Sequence, residues 1–527
     1  MHQTLPFLLA IVVLIVLVNL LATKLKIAYP ILLVLAGILI SMIPSVPKIK
    51  VNPDWIFFIV LPPLLFEASW TISYKGLVRF RRIIGSFAFL VVFFTASAVA
   101  FFTHKYIPGF TLSLGFLLGA IVSPPDAVSA GAILKFIKIP KSTSTVLEGE
   151  SLFNDASSLI VFQFALIAVS TGNFIWGNAI TSFLWMVGGG VVVGILLAFI
   201  FVQALKRLPT NAPSDIAFTL VAPYLFYWVA EQMGCSGVMA VVSGGLFMSN
   251  RRLIFLTSES RVRGYSFWES FVFILNGLVF FIIGLDLTEV VTGLTSSGTS
   301  VQTGIFYGTI VTGFIILIRI ISSYIALFST YLFRRKMLPT TFKFSTSMNI
   351  PLILGWTGMR GVVTLAAALS IPVYLDNGTL FPQRDLILFI SFMVIILTLF
   401  VQGLTLPFIL KRFPLQHLAP ELKSEKEQHQ DLRKELHLFT IQFIREKYKN
   451  NLKEDLFLAK KLEQWQDKLD EATEELYHSN RKELYLELLE AQRNFLIEKN
   501  KDFKTDEDLI RHQMFMIDLE EERLKAV

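Results

Sequence analysis

Length, composition and charge exclude a soluble globular protein. The chain has 527 residues, of which 54% are hydrophobic and 17% charged, and its mean hydropathy of +0.62 is typical of a polytopic membrane protein. Charge divides the chain in two, because residues 1–412 hold 27 Lys and Arg against 14 Asp and Glu (net +13), whereas residues 413–527 hold 20 against 26 (net −6). We therefore predict an all-α transmembrane domain over residues 1–412 and an acidic, helical cytoplasmic tail over residues 413–527.

Apolar windows long enough to cross about 30 Å of hydrocarbon predict thirteen transmembrane helices. The windows are 5–22, 28–44, 54–70, 83–104, 110–134, 143–170, 175–205, 214–233, 235–249, 266–285, 303–333, 348–371 and 385–410. Loops after odd-numbered windows, with the C-terminal exit, hold 21 basic residues, and loops after even-numbered windows hold 4. This alternation predicts that the N-terminus lies outside and the C-terminus in the cytoplasm. We expect the chain in the plasma (inner) membrane.

Two of the predicted helices are interrupted at corresponding places. The fifth contains Ser-Pro-Pro-Asp at residues 123–126, where tandem prolines remove backbone donors and should unwind the helix. The twelfth contains the glycine-rich stretch 355–361, which carries Arg360. The breaks lie seven helices apart, so two inverted six-helix repeats, helices one to six and eight to thirteen, would pair them. Paired broken helices are typical of the binding site of a transporter.

The sixth window holds an unusual concentration of polar side chains, among them Glu148, Glu150, Ser151, Asn154 and Asp155. A charged side chain near the centre of a membrane helix costs about 2.5–3.5 kcal/mol, so such residues are rarely kept without a function. Ser151 and Asp155 lie one turn apart on one helix face, and Glu150 and Asn154 lie one turn apart on the neighbouring face. The pattern predicts a polar site at mid-membrane depth.

Asp155 is the strongest candidate in this site, because a carboxylate at that depth can hold either a proton or a monovalent cation such as Na⁺. The alternative is a purely structural partner for Arg360. Since arginine keeps its charge in a protein, Arg360 needs a permanent anion, and we predict that Glu150 supplies it. Direct contact between Glu150 and the cation is the alternative.

The other candidates offer oxygen atoms or charges near the two breaks. Asp126 either titrates or holds the break by capping a half-helix, and the carbonyl of Pro125 is free to face a cation. Ser151 and Asn154 supply neutral oxygens suited to Na⁺ or Li⁺, or else hydrogen bonds between helices. Glu67, which follows Pro-Pro in the third window, is either a water-mediated ligand, a gate or a charge in an aqueous funnel.

Arg319 and Asn276 are the remaining polar groups that we single out inside the windows, and we predict that both are contacts between helices. In the tail, apolar residues at helical spacing predict amphipathic helices around residues 432–443 and 484–495.

Four motifs, at residues 61–65, 123–128, 149–156 and 358–361, together resemble those of the monovalent cation/proton antiporter family, in particular its electroneutral Na⁺/H⁺ exchangers. The resemblance covers roughly residues 5–412. It implies a homodimer in which helices one to three and seven to ten form the dimerisation domain. Helices four to six and eleven to thirteen would form an ion-binding core, with crossed broken helices, that moves as an elevator.

The same resemblance implies roles for single residues. Asp155 would bind the ion with Asn154 and Ser151 beside it, and Asp126 would stand at the crossing of the broken helices. Glu67 would approach from the dimer side. The chain departs from the family pattern at Asp126, since its prolines precede the aspartate, and at Asn276, where animal members carry a glutamate.

These observations predict an antiporter that exchanges one Na⁺ or Li⁺ for one H⁺ without net charge movement, and not an enzyme. The expected partners are monovalent cations, protons, the lipid bilayer and a second copy of the chain, with no nucleic acid. No cofactor is expected, since the sequence has no nucleotide-binding loop and its single cysteine excludes a Cys-based metal cluster. Exchange of K⁺, or of monovalent cations without selectivity, is one alternative. A membrane cation sensor or channel with an output tail is another.

Overall fold

The structure, a computed structural model, is helical throughout the residues that it describes. These are residues 4–43, 56–134, 141–172, 176–333, 349–375, 378–413, 438–443, 445–446, 463, 479–499, 513 and 516–521. Outside the helices, an isolated antiparallel bridge joins Tyr374 and Leu380 in this part of the chain. The chain divides into two compact units, Met1–Pro420 and Glu421–Val527, and the predicted boundary at residue 412 lies close to this division.

The helices of the first unit follow one another with short connections. They are α1 (Thr4–Leu25), α2 (Tyr29–Ser41), α3 (Leu61–Thr71), α4 (Tyr74–Gly85), α5 (Val92–Tyr106), α6 (Leu112–Val122), α7 (Ala127–Leu134), α8 (Lys141–Thr171), α9 (Trp176–Arg207), α10 (Ala212–Gln232), α11 (Gly237–Phe255), α12 (Ser258–Ser296), α13 (Val301–Phe333), α14 (Asn349–Trp356), α15 (Val362–Leu369), α16 (Arg384–Leu397) and α17 (Gly403–Arg412). π-helical turns precede α3 (Ile56–Val60), join α4 to α5 (Ser86–Val91) and join α16 to α17 (Thr398–Gln402).

Each predicted window overlaps one of these helices or a broken pair of them. Six helical segments of the described chain are long and apolar enough to cross a membrane. They are Tyr74–Tyr106, Thr143–Thr171, Thr181–Arg207, Ser258–Ser296, Val301–Ala326 and Arg384–Arg412. Shorter apolar helices accompany them, among them α2 and α6. The chain is therefore a multi-pass membrane protein that is helical in its described part, while the count of thirteen crossings and the inverted repeats stay predictions.

Both predicted helix breaks occur. The fifth window is divided because α6 ends at Val122 and α7 begins at Ala127, with the two prolines between them. The twelfth window is divided because α14 ends at Trp356 and α15 begins at Val362, with three glycines from Gly355 to Gly361 at or within the break. Each break leaves backbone groups without helical partners inside the protein, which is where a polar site can form.

The helix α8, which carries the polar cluster, is held closely on two sides. Ser157 donates a hydrogen bond to the carbonyl of Ala88 (2.5 Å), in the π-helical turn before α5. Gly149 lies against Ile84 of α4, and a Cβ at Gly149 would overlap that side chain. The buried apolar side chains form one cluster around α2, α6, α12 and α16, a second around α3, α9, α10 and α11, and a smaller third that includes Leu147 of α8. The polar side chains of α8 therefore lie on a helix whose position is fixed by packing against its neighbours.

In the second unit, the structure describes α18 (Ser479–Lys499), which contains the tail helix predicted around residues 484–495. Arg493 of this helix forms ion pairs with Asp518 (2.7 Å) and with Glu521. Of the tail helix predicted around residues 432–443, residues 438–443 are helical and residues 432–437 lie outside the described residues.

Candidate functional site

The two helix breaks meet at Asp126. Its backbone N–H donates a hydrogen bond to the carbonyl of Met359 (2.7 Å), which lies in the other break. The Asp126 carboxylate accepts hydrogen bonds from the backbone N–H groups of Val128 (3.1 Å) and Ser129 (3.2 Å) and from the Ser129 hydroxyl (2.5 Å). Asp126 therefore caps the N-terminus of α7, where the helix dipole favours a negative charge.

A glycine allows this close approach. Gly361 lies so near to the Asp126 carboxylate that a Cβ at position 361 would overlap its Oδ2 atom. Any side chain larger than a hydrogen would therefore push the two breaks apart. The glycine-rich break is visible in the sequence, but this role of Gly361 depends on the tertiary structure.

Arg360 is fully buried, with 0% of its side chain exposed. Its guanidinium donates hydrogen bonds to the carbonyls of Val122 (2.7 Å), Ser123 (3.5 Å) and Gly358. Val122 is the last residue of α6 and Ser123 follows it, so these carbonyls carry the negative end of the helix dipole. Arg360 thus compensates the C-terminal side of the broken helix, as Asp126 compensates the N-terminal side.

The ion pair predicted between Glu150 and Arg360 is wrong. Glu150, 1% exposed, pairs instead with Arg319 of α13, which is 2% exposed and whose Nη2 lies 2.8 Å from Glu150 Oε1. The reason is that the Arg360 donors are already taken by backbone carbonyls. Arg319 is thus a contact between helices, as predicted, and a lone cation in an apolar window is itself a signal that a buried anion faces it.

The remaining candidates on α8 converge on the first break. Asn154 is 0% exposed, and its Nδ2 donates to the carbonyl of Pro125 (3.2 Å); the Ser151 hydroxyl reaches the same carbonyl at 3.4 Å. Asn154 Oδ1 is buried and has no hydrogen-bond partner among the described residues. An unsatisfied acceptor in this position is suited to a cation or a proton donor that comes and goes.

Asp155 completes the group. Its side chain is 8% exposed and lies close enough to Asp126 for the two carboxylates to interact electrostatically. Within the part of the chain that the structure describes, no basic side chain pairs with Asp155. The structure therefore brings Asp155, Asn154, Ser151, Pro125 and Asp126 together, with one carboxylate of the group uncompensated.

Glu67 and Asn276 are the remaining polar residues singled out in the sequence. Glu67 is half-buried on α3, a helix that packs against α8, and its role in the site stays a prediction. Asn276 of α12 is 4% exposed, and its Oδ1 has no hydrogen-bond partner in the described chain.

Comparison with known proteins identifies similar chains. The family model described as sodium/hydrogen exchanger, transmembrane, matches residues 9–412. A sodium, potassium, lithium and rubidium/H⁺ antiporter of Bacillus pumilus is 33% identical over 389 residues, which are 72% of this chain and 57% of the relative. A low-affinity Na⁺/H⁺ antiporter of Synechocystis is 32% identical over 396 residues, which are 74% of this chain and 70% of that protein.

The fold has a counterpart among solved structures. The sodium proton antiporter MjNhaP1 of Methanocaldococcus jannaschii matches with a TM-score of 0.62 and 20% identity, over 78% of this chain and 99% of that protein. At that identity the likeness concerns the fold alone. The chain spans about 57% of the length of its Bacillus relative, and the family model covers most of its membrane unit. The chain belongs to the sodium/hydrogen exchanger family.

Proposed function

We propose that the chain is a secondary active antiporter that exchanges a monovalent cation for a proton at Asp155. The observation that carries this proposal is the unequal compensation of three carboxylates, of which Glu150 and Asp155 are buried and Asp126 is half-buried. Arg319 pairs with Glu150, and the N-terminus of α7 with Ser129 compensates Asp126. Asp155 has no such partner among the described residues, so it must acquire a positive charge from outside the protein.

The oxygen atoms around Asp155 suit Na⁺ or Li⁺. These hard cations prefer oxygen ligands, and the group offers a carboxylate, the unsatisfied Asn154 Oδ1, the Pro125 carbonyl and the Ser151 hydroxyl. Because one carboxylate serves both ligands, cation and proton compete and only one is bound at a time. That competition couples the two fluxes at one cation for one proton.

The resemblance to electroneutral exchangers supports the rest of the scheme. We propose a homodimer whose ion-binding core moves as an elevator, with the N-terminus outside and the C-terminus in the cytoplasm. The alternation of basic residues between loops supports this orientation. In the cell, such exchange would serve sodium and pH homeostasis.

Exchange of K⁺, or of several monovalent cations, is the second candidate. The name of the Bacillus pumilus relative includes sodium, potassium, lithium and rubidium, and that protein is 33% identical to this chain. The side chains at the site do not by themselves fix the size of the cation that they hold.

The test is cation-triggered proton movement in proteoliposomes that contain a pH-sensitive dye, with Na⁺, Li⁺ and K⁺ added in turn. We expect Asp155→Asn to abolish the response, because an amide can hold neither a proton in exchange nor a negative charge for the cation. Glu148→Gln is the matched control, since Glu148 is an exposed carboxylate on the same helix. Equal flux in wild type and Asp155→Asn would refute the site, and absence of flux with every cation would favour the sensor interpretation.

A further inference from the structure

A cavity of about 280 Å³ lies away from the site described above, where the ends of four helices meet. The C-terminal ends of α3 and α11 and the N-terminal ends of α10 and α12 enclose it. We call it the helix-end cavity. By the distribution of basic residues, all four of these ends belong to the side that we propose to be cytoplasmic.

One wall of the helix-end cavity carries an incompletely satisfied carboxylate. Asp215 of α10 is 2% exposed, and its Oδ2 accepts a hydrogen bond from the Ser260 hydroxyl (2.6 Å). Its other oxygen, Oδ1, is enclosed and has no hydrogen-bond partner in the part of the chain that the structure describes. Asp215 also has no ion pair in that part of the chain. A buried carboxylate oxygen left this way calls for a cationic donor.

The opposite charge lines the same cavity. The guanidinium of Arg252, at the end of α11, has no hydrogen bond or ion pair within the described chain. Arg261 donates to the Leu256 carbonyl (2.6 Å) and to the Ser258 hydroxyl (3.1 Å), so it too has no anionic partner there. The cavity therefore presents an unpaired anion and unpaired cations that do not neutralise one another. A ligand that satisfies both must carry both charges.

Aromatic and apolar side chains indicate where this ligand comes from. Trp70, Tyr265 and Trp268 line the cavity, and Leu253 beside them is 75% exposed. Trp and Tyr concentrate at the level of the lipid headgroups, and an exposed leucine at the end of an apolar helix suits acyl chains. The surroundings favour a membrane lipid over a water-soluble zwitterion.

We propose that the helix-end cavity binds the headgroup of a zwitterionic aminophospholipid. The phosphate lies on Arg252 and Arg261, and the primary ammonium donates to the carboxylate of Asp215, which lines the cavity. A bound headgroup also braces α3, because Phe66 of that helix packs against both Trp70 (5.4 Å between ring centroids) and Trp268 (5.2 Å). Binding to the folded state alone then raises thermal stability.

The experiment compares lipids that differ only in the headgroup, on the full-length chain purified in detergent and delipidated. Phosphatidylethanolamine, phosphatidylcholine and phosphatidylglycerol with identical acyl chains are titrated, and binding is read by native mass spectrometry and by thermal shift. We expect phosphatidylethanolamine to bind about tenfold more tightly than phosphatidylcholine, whose quaternary ammonium has no N–H to donate. Equal affinity for these two, or tighter binding of phosphatidylglycerol, would overturn the proposal.

Variants locate the site. Asp215→Asn should remove the preference for phosphatidylethanolamine, and Arg252→Gln should weaken binding of both zwitterionic lipids. The matched control is Arg251→Gln, because the neighbouring Arg251 stacks on the Phe247 ring (4.1 Å) and does not line the cavity. If Asp215→Asn does not fold, the lipid affinity of Arg252→Gln tests the site, because Arg252 is exposed and its replacement should not affect folding.

The variant result that refutes the site is wild-type affinity for phosphatidylethanolamine in Arg252→Gln. Soluble phosphoethanolamine separates the two sources of the headgroup: millimolar or weaker binding is expected, whereas affinity equal to that of the lipid would refute a membrane origin. These readouts do not depend on transport, so they stand apart from the proposal for Asp155.

Discussion

The ion pair between Glu150 and Arg319 allows a direct test of the site geometry. The two side chains are 1% and 2% exposed, and their charged atoms lie 2.8 Å apart. At an effective dielectric constant of about 20, their attraction is about 6 kcal/mol, much of which offsets the cost of removing both charges from water. Replacement of one partner leaves the other charged and buried, so Glu150→Gln or Arg319→Gln alone should cost about 3–5 kcal/mol of stability.

A double-mutant cycle identifies the true partner of Glu150. Because Glu150→Gln with Arg319→Gln removes both charges together, the double variant should be less destabilised than the sum of the single variants by about 3 kcal/mol. Arg360 donates to backbone carbonyls instead, although its charge acts on Glu150 from a distance. Glu150→Gln with Arg360→Gln should therefore show a coupling energy of less than about 1 kcal/mol.

The assay is the apparent Tm of detergent-solubilised protein, measured by fluorescence-detected size-exclusion chromatography after heating. At about 2 °C per kcal/mol for a chain of this size, each single variant of the pair should melt about 6–10 °C below wild type. Stronger coupling of Glu150 to Arg360 than to Arg319 would refute the geometry and restore the pairing predicted from sequence.

Two further substitutions test the neighbourhood of Asp155. Gly361→Ala should reduce exchange at least tenfold and lower the free energy of unfolding by about 1–3 kcal/mol, because a methyl group would overlap the Asp126 carboxylate. Gly313→Ala is the control, since a Cβ at Gly313 meets nothing within 4 Å. Equal activity and equal Tm in the two variants would contradict the close approach. Asn154→Ala should raise the KM for Na⁺ about tenfold, since it removes Oδ1. Ser151→Ala should change the KM less, because the contact of Ser151 with Pro125 is longer. Na⁺ titrations of dye-loaded proteoliposomes measure both values. An unchanged KM in Asn154→Ala would exclude its oxygen as a ligand.

Helix positions and both breaks follow from local physics and could be predicted from the sequence. Proline has no N–H to donate, so α6 ends before the two prolines whatever packs around it. Helix lengths could be predicted less accurately from the sequence, because polar turns extend helices beyond their apolar windows. The tenth window, 266–285, lies within a helix that spans Ser258–Ser296, and the hydroxyl of Thr257 caps its N-terminus.

The choice of ion-pair partner depends on tertiary structure, and sequence reasoning failed there. Two buried arginines compete for Glu150, and both lie beside Gly358, where a Cβ would contact Arg319 and Arg360 together. Periodicity places Glu150 on a helix face but does not say which of two distant arginines faces it. The carbonyls freed by the first break decide the matter, because they accept the donors of Arg360 and leave Arg319 for the carboxylate.

The charges around Asp155 also bear on stoichiometry. Asp126, Glu150 and Asp155 contribute three negative charges, and Arg319 and Arg360 contribute two positive ones, a sum of −1. One Na⁺ or one proton at Asp155 brings that sum to zero, so both loaded forms can cross without net charge. Transfer of one extra proton per cycle would instead be worth about 2.3 kcal/mol at 100 mV.

We therefore expect the pH gradient that a fixed Na⁺ gradient sustains in proteoliposomes to be the same with and without an imposed potential of about 100 mV. Two protons per Na⁺ would shift that gradient by about 0.8 pH unit, since about 2.3 kcal/mol is shared by two protons at 1.36 kcal/mol per pH unit each. Vesicles that contain Asp155→Asn measure the proton leak that is independent of exchange under the same potential. Such a shift would show that a second group in the site exchanges protons, which neither Asn154 beside Asp155 nor the two arginines can do.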